Sequence, residues 1–270
     1  MPTITLPDNS TKSFPGPVTA KQVAESIGAR LAQAALGCKI DGELRDLSTV
    51  IDHDCKLAIV TPQTRDKAAD PDGLFLIRHS AAHVMAEAIQ RVFGNDVQLA
   101  YGPPLATGFY YDMAFPSGKT MSSSDFAQVE AEMKKIIAED RPFTRYEQNS
   151  GEGLSRLRTE GNKYKIDNAE RALAMPSSVY RSSKPAAAEP EPGTRNPALS
   201  FYATGTPGQN WEDLCRGPHV PSTAKIGAFK VTSIAGAYWH GDETKQQLQR
   251  VYGTAFPTQK DLDQYLNQIE

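Results

Sequence analysis

An α+β fold in two unequal units is what this sequence predicts, and three observations predict it. Its 270 residues amount to about two domains at roughly 150 residues each. The first sixty carry short strand signals around one capped helix. After a polar stretch, longer helical and strand patterns alternate to the end. Composition fits a globular chain with a polar surface: 39% hydrophobic residues, mean hydropathy −0.47 and a net charge of −3. That balance argues against a protein that grips nucleic acid by bulk basicity, while leaving room for a local basic groove. There is no apolar run of about 18 residues that would suggest a membrane span. The start, MPTITLPDNS, has neither the charged nor the apolar region of a secretory signal. Cys38, Cys55 and Cys215 are odd in number and widely spread, which reads as reduced thiols in a cytoplasmic setting.

Residues 3–6 read as a strand, Pro7-Asp8-Asn9-Ser10 as a turn and residues 11–14 as the return strand. Thr19 and Gln22 have capping-box spacing, at which each side chain can satisfy the other residue's free backbone N–H. Val23, Ile27 and Leu31 continue one helical stripe. Asp41-Gly42 signals a hairpin, and residues 57–61 the last strand before Pro62. A strand pair, one helix and a second strand group predict a small ubiquitin-like β-grasp sheet over residues 1–62. No candidate catalytic residue falls there, so this unit is expected to be dispensable for a pocket elsewhere.

Residues 63–72 are polar, contain a proline and predict a linker. Helical pattern runs over about 76–93 and again over 124–139, where Phe126, Val129, Met133, Ile136 and Ile137 share a face. Arg141-Pro142 stops the second helix, because a residue before proline is pushed out of the helical region. Strands are expected around 108–113, 229–234 and 247–252. Residues 183–198 are proline-rich, hold no large apolar side chain and predict a mobile loop. Residues 258–270 predict a capped helix with Leu262, Tyr265, Leu266 and Ile269 on one stripe. Nothing comes after it to pack against, which suggests a chain that once continued.

The chemistry concentrates in two spaced pairs. His79 and His83 stand at i, i+4 in His-Ser-Ala-Ala-His, and Cys215 and His219 repeat that spacing in Asp-Leu-Cys-Arg-Gly-Pro-His. Imidazole and thiolate are the donors of a tetrahedral zinc site. They serve equally as a metal-free acid/base cluster, since a neutral imidazole accepts or gives a proton near pH 7. The competing account is ordinary packed histidines. On a helical wheel Ala81, Met85, Ala88, Ile89 and Val92 define the apolar stripe, and the two imidazoles fall opposite, toward solvent or a second wall. His-x-x-x-His alone is weak evidence, but its pairing with Cys-x-x-x-His in a Gly-Pro turn makes function the better account. A zincin-type protease is excluded, because its glutamate base would stand where Ser80 stands.

Gly-Phe-Tyr-Tyr-Asp at 108–112, Tyr164-Lys165, Ala-Gly-Ala-Tyr-Trp at 235–239 and Leu-Gln-Arg-Val-Tyr-Gly-Thr-Ala-Phe at 248–256 join these pairs. Together they resemble the N-terminal region of bacterial-type threonyl-tRNA synthetases. On that resemblance residues 1–62 are a TGS-like β-grasp domain. Residues 63–257 are a larger α+β editing domain of the threonyl/alanyl-tRNA synthetase second-additional-domain type, and 258–270 start a linker helix. The class II aminoacylation core and the anticodon-binding domain are not in the sequence. The resemblance therefore implies either an excised fragment or a free-standing editor, with no aminoacylation by this chain alone.

The activity it implies is post-transfer editing, the hydrolysis of mischarged seryl-tRNA(Thr) to serine and tRNA(Thr). One methyl separates threonine from serine, a difference worth only about 1–3 kcal/mol to a binding pocket, so a second site multiplies the discrimination. The resemblance gives His79 or Lys165 the task of activating or positioning water. It gives His83, Cys215 and His219 the terminal ribose and seryl group, or a metal. Asp213 would bind the substrate amine or hydroxyl, Tyr110 or Tyr111 would line the pocket, and Arg216 would meet a phosphate or brace its turn. Tyr238 and Trp239 are expected to be packing residues. No cofactor is required on this reading, while His79, His83, Cys215 and His219 are candidate zinc ligands. The implied partners are tRNA(Thr) with its aminoacylated 3′ end and the rest of a synthetase, with neither membrane nor DNA. Two alternatives stay open: a zinc-dependent trans-editor of alanyl-type errors, and a non-catalytic tRNA-binding remnant.

Overall fold

The computed structural model describes residues 1–64, 66–174 and 198–269. The loop predicted at 183–198 therefore lies outside the described residues except for Ala198, which begins a strand. At the N-terminus β1 (Thr3–Thr5) and β2 (Thr11–Ser13) pair antiparallel, and β3 (Val18–Thr19) leads into α1 (Ala20–Ile27). The capping box forms: Gln22 N–H donates to Thr19 Oγ1 at 3.2 Å, and Thr19 N–H to Gln22 Oε1 at 2.8 Å. The stripe does not run on to Leu31 as expected. Gly28 is extended and ends the helix, so Leu31 belongs to a separate α2 (Ala29–Ala34).

β4 (Gly37–Ile40) and β5 (Glu43–Arg45) are joined by Asp41 and Gly42 at φ +49° and +88°. Those are the two left-handed positions of a tight two-residue hairpin. β6 (Val50–Ile51) pairs with β3, and β7 (Cys55–Val60) runs parallel to β1. The sheet order is β2-β1-β7-β4-β5, with Ile4, Val23, Ile51 and Leu57 in one apolar cluster beneath it.

α3 (Pro71–Phe93) begins five residues earlier than the apolar pattern suggests, inside the predicted linker. Asp70 supplies the reason. Its carboxylate accepts Asp72 N–H at 2.9 Å and Gly73 N–H at 3.1 Å, and Pro71 sits where no N–H is needed. Every residue from Leu76 to Ile89 is buried, so α3 is a central rod with no solvent face over that stretch. β8 (Gln98–Tyr101), β9 (Phe109–Ala114) and α4 (Phe126–Ala138) come after it. Glu87 of α3, 3% exposed, receives Arg91 and Arg141 at 2.7 Å each and ties α3 to the end of α4.

β10 (Phe143–Asn149), α5 (Ser150–Glu160), α6 (Lys163–Ala174), β11 (Ala198–Thr204) and β12 (Trp211–Leu214) come next. β10, β11 and β12 form an antiparallel sheet in that order. None of these five elements is expected from the sequence. β10 reads Phe-Thr-Arg-Tyr-Glu-Gln-Asn, and its alternation of polar residues carries no hydrophobic period. β13 (Ala228–Tyr238) and β14 (Gln247–Phe256) complete an antiparallel sheet of order β13-β14-β9-β8, and α7 (Gln259–Ile269) closes the described chain. Leu36 and Val60 join the large core around α3, so the N-terminal sheet shares packing with the larger unit. No helix among the described residues is long and apolar enough to cross a membrane.

Candidate active site

α3 carries His79 and His83 one turn apart, on one face as the four-residue spacing requires. The connection from β12 to β13 brings Cys215 and His219 against them, and the four donor atoms lie within 4.8 Å of one another. Cys215 Sγ is 3.4 Å from both His79 Nε2 and His219 Nε2. The His79 and His219 rings stack at 4.1 Å, and Phe143 stacks on His219 at 4.9 Å. The wall facing the imidazoles is thus β12 and the turn after it, not solvent. That turn requires glycine at one point: Gly217 has φ +71°, and a Cβ there would run into the Tyr202 hydroxyl.

Burial holds all three imidazoles neutral. Desolvation pulls His79 down to about 4 and His83 to about 3, and drives His219 well below its ordinary value. The Pro218 carbonyl can only accept, so His79 Nδ1 donates to it at 3.0 Å and Nε2 keeps its lone pair, aimed at Cys215. Burial and the nearby Asp213 charge push the Cys215 thiol up to about 12, so the sulfur is a protonated donor and no nucleophile. Ser80 Oγ lies 3.1 Å from His219 Nδ1 and accepts Val220 N–H at 3.0 Å. The residue that excluded a zincin therefore braces the turn.

A second group adjoins the first. Asp213 Oδ1 receives the Lys165 ammonium at 2.6 Å, while its Oδ2 accepts the Tyr111 hydroxyl and lies 3.6 Å from His83 Nε2. Lys165 also donates to the Tyr111 hydroxyl at 2.9 Å. Lys165 and Asp213 are each 5% exposed and Tyr111 is 1% exposed, so this ion pair stands only because its partners are mutually satisfied. Burial and Asp213 hold the Tyr111 hydroxyl well above its usual range. Asn162 Oδ1 accepts the N–H groups of Tyr164 and Lys165 at 3.2 Å each, capping α6 and setting Lys165 in its first turn.

A cavity of about 540 Å³ opens on both groups, lined by Phe75, His79, Tyr101, Lys165 and Cys215 among others. A larger one, about 920 Å³, also touches Lys165 and Asp213 but no histidine. Of the two, the smaller cavity is the one that joins Lys165 and Asp213 to His79, His83 and Cys215. Tyr111 reaches the cluster, whereas strand alternation puts Tyr110 on the opposite sheet face beneath the Arg250 guanidinium, 4.0 Å from its ring. Arg216 is exposed and lines the cavity. Trp239 packs on Tyr164 at 4.9 Å, while Tyr238 is 41% exposed and is no packing residue.

Asp46 carries no signal in the sequence. It comes just after β5 in the N-terminal unit, yet its Oδ1 accepts His219 N–H at 2.9 Å and its Oδ2 accepts the Tyr202 hydroxyl at 2.6 Å. Burial raises its carboxyl, and these two bonds pull the other way. The N-terminal unit, expected to be dispensable for the pocket, thus reaches the turn that carries His219. No local motif links residues 173 positions apart.

The donor set fits a metal. A tetrahedral zinc with Zn–N near 2.0 Å and Zn–S near 2.3 Å has N···S edges of about 3.5 Å, close to the 3.4 Å separations found here. The Nδ1 atoms of His79 and His219 are engaged by Pro218 and Ser80, which orients each Nε2 inward as an outer shell does for ligating histidines. His83 Nδ1 is buried without a hydrogen-bond partner among the described residues.

Residues 2–61 match the TGS domain family. Residues 199–252 match the threonyl and alanyl tRNA synthetase second additional domain. The second match spans Asp213, Cys215 and His219, and leaves His79, His83, Tyr111 and Lys165 outside it. Over all 270 residues the chain is 43% identical to a threonine–tRNA ligase of Burkholderia multivorans, 44% to one of Desulfosudis oleivorans and 43% to one of Nitrosococcus oceani. It spans 36–37% of the length of these relatives.

Proposed function

We propose that this chain, the counterpart of the N-terminal part of bacterial threonine–tRNA ligases, hydrolyses seryl-tRNA(Thr) to serine and tRNA(Thr). On this reading residues 1–62 are the TGS unit, 63–257 the editing domain and 258–270 the start of a linker helix. One observation carries the reading: neutral His79 and the Lys165–Asp213–Tyr111 group meet in one cavity of about 540 Å³. His79 Nε2 offers the lone pair that takes a proton from water, and the Lys165 ammonium is the donor for charge developing on the ester carbonyl. Water's oxygen bonds to that carbonyl carbon, the bond to the ribose oxygen breaks, and the ribose oxygen leaves with the proton that His79 took from water. Asp213 uses two of its roughly four acceptor positions on Lys165 and Tyr111, which leaves capacity for a substrate amine or hydroxyl. Selectivity follows from size, because a wall packed for serine resists the extra methyl of threonine.

The 3.4 Å donor spacings favour a second reading, zinc-dependent deacylation of alanyl type. Zinc on His79, His83, Cys215 and His219 would supply Lewis-acid polarisation at the site. Single-turnover deacylation of seryl-tRNA(Thr), threonyl-tRNA(Thr) and seryl-tRNA(Ala), with and without chelator, separates the readings. Chelator-resistant hydrolysis of the first substrate alone supports the proposal. Chelator-sensitive hydrolysis of the third supports the alternative, and no hydrolysis of any leaves a tRNA-binding remnant.

A further inference from the structure

We infer that the open face of the β8–β9–β14 sheet is a stacking platform for the single-stranded nucleotides preceding the esterified one at the tRNA 3′ end. The inference rests on the proposed function and extends it to a surface outside the cavity. Tyr101 lines the cavity and is 53% exposed. Its ring lies 6.2 Å from that of Tyr110, and Tyr110 lies 5.8 Å from Tyr252, its cross-strand partner on β14. Three rings therefore run across three adjacent strands, leading away from the cavity.

Their surroundings fit nucleic acid. The Arg250 guanidinium lies 4.0 Å from the centre of the Tyr110 ring and is held by Asp112 at 2.6 and 2.8 Å. Asp112 is thereby neutralised and does not repel phosphates. On the next strand, Ser233 and Ala235 pair with Tyr252 and Arg250, and both are small and exposed. Further along the same face Tyr164 of α6 clusters with Ala100, Ala114 and Leu248 and covers that end. Every base has a π face, so Tyr101, the Arg250 guanidinium lying over Tyr110, and Tyr252, in a row on an antiparallel sheet, offer successive bases planes to stack on without reading them. A cavity of about 540 Å³ is on the scale of one esterified nucleoside, and Tyr101 is the residue that both lines it and begins the row of rings.

The test uses the whole chain with Tyr252→Ala, Tyr252→Phe and Tyr101→Ala. Two substrates are compared, seryl-tRNA(Thr) and the 3′-seryl ester of adenosine. Tyr252→Ala should raise KM for the tRNA roughly tenfold with kcat kept, as loss of one stacking partner predicts, and should leave the nucleoside ester unaffected. Tyr252→Phe should behave as the parent, and Tyr101→Ala should raise KM for the tRNA further. An equal effect on both substrates, or none on the tRNA, overturns the inference. A second arm is independent of hydrolysis: uncharged tRNA with 2-aminopurine next to its terminal adenosine should be quenched by the parent and not by Tyr101→Ala. If neither ester is hydrolysed, the proposed activity fails and this arm alone decides the platform. Self-association that disappears in Tyr252→Ala would mark the face as a protein interface and refute the inference.

Discussion

The backbone N–H of His219 donates to Asp46 Oδ1 across 2.9 Å, and the Tyr202 hydroxyl takes the other oxygen of the same carboxylate. One side chain of the N-terminal unit thereby holds the turn that carries half of the histidine–cysteine cluster. Asp46→Ala should strand two buried donors, at a cost of about 1–3 kcal/mol each, and should slow deacylation by loosening His219. Urea unfolding and single-turnover rates on the same preparation test this. Removing residues 1–62 should be at least as damaging. A truncated 63–270 chain that works at the parent rate would show that Asp46 does nothing for the site.

His79→Ala should lower single-turnover deacylation of seryl-tRNA(Thr) by roughly 10²-fold at pH 7, the loss expected of an acid/base group. tRNA affinity should change little, because His79 is 8% exposed and lies inside the cavity. A near-parent rate would move the task of activating water to another residue.

Lys165→Met should also slow the reaction, but with a different signature. It leaves Asp213 buried without its cation, which typically costs about 3–5 kcal/mol. The expected result is a marked fall in melting temperature together with the rate loss. A variant with unchanged stability would mean that Lys165 and Asp213 do not form a buried bridge.

Acid should destabilise the protein from about pH 6.5 downward, well before ordinary carboxylates titrate. In the unfolded chain the histidines protonate near 6.5, whereas His79 and His83 are held to about 4 and about 3, and His219 is also lowered. Between those limits the unfolded state binds more protons, so stability falls as pH falls. The slope approaches about three protons, or roughly 4 kcal/mol per pH unit at its steepest. Asp46 and Glu87, both raised by burial, oppose this in the carboxylate range, since protonation suits their folded state. Urea midpoints at pH 7.5, 6.5 and 5.5 give the slope, and His219→Phe should flatten it. A flat profile over that range would contradict neutral buried imidazoles.

Seryl-tRNA(Thr) should be cleared faster than threonyl-tRNA(Thr) by roughly 5- to 150-fold, the value of one methyl forced into a packed wall. Gly102 bears on this, because a Cβ there would press into the Tyr111 ring. Gly102→Ala should therefore slow hydrolysis of the seryl ester itself. Equal rates for the two aminoacyl-tRNAs would remove size exclusion as the basis of selectivity.

The sequence by itself determined the features that near neighbours decide. The Thr19–Gln22 capping box, the Asp41–Gly42 hairpin and the four-residue spacing that puts His79 and His83 on one helix face all arise from contacts within a turn or two. Helical and strand periods also placed α4, β9 and β14 to within a few residues, apart from the β14 end. Only the tertiary structure decided the rest. Strand alternation says that Tyr110 and Tyr111 face opposite ways, but packing against α3 chose Tyr111 for the cluster. Lys165 sits in a polar helix far from the histidine and cysteine pairs in sequence, and Asp46 in a loop without a motif. Each acquires its role from a partner far along the chain, Asp213 for one and His219 for the other. Burial then turns those pairings into strong constraints, because a charge or donor removed from water has to find its match inside the protein.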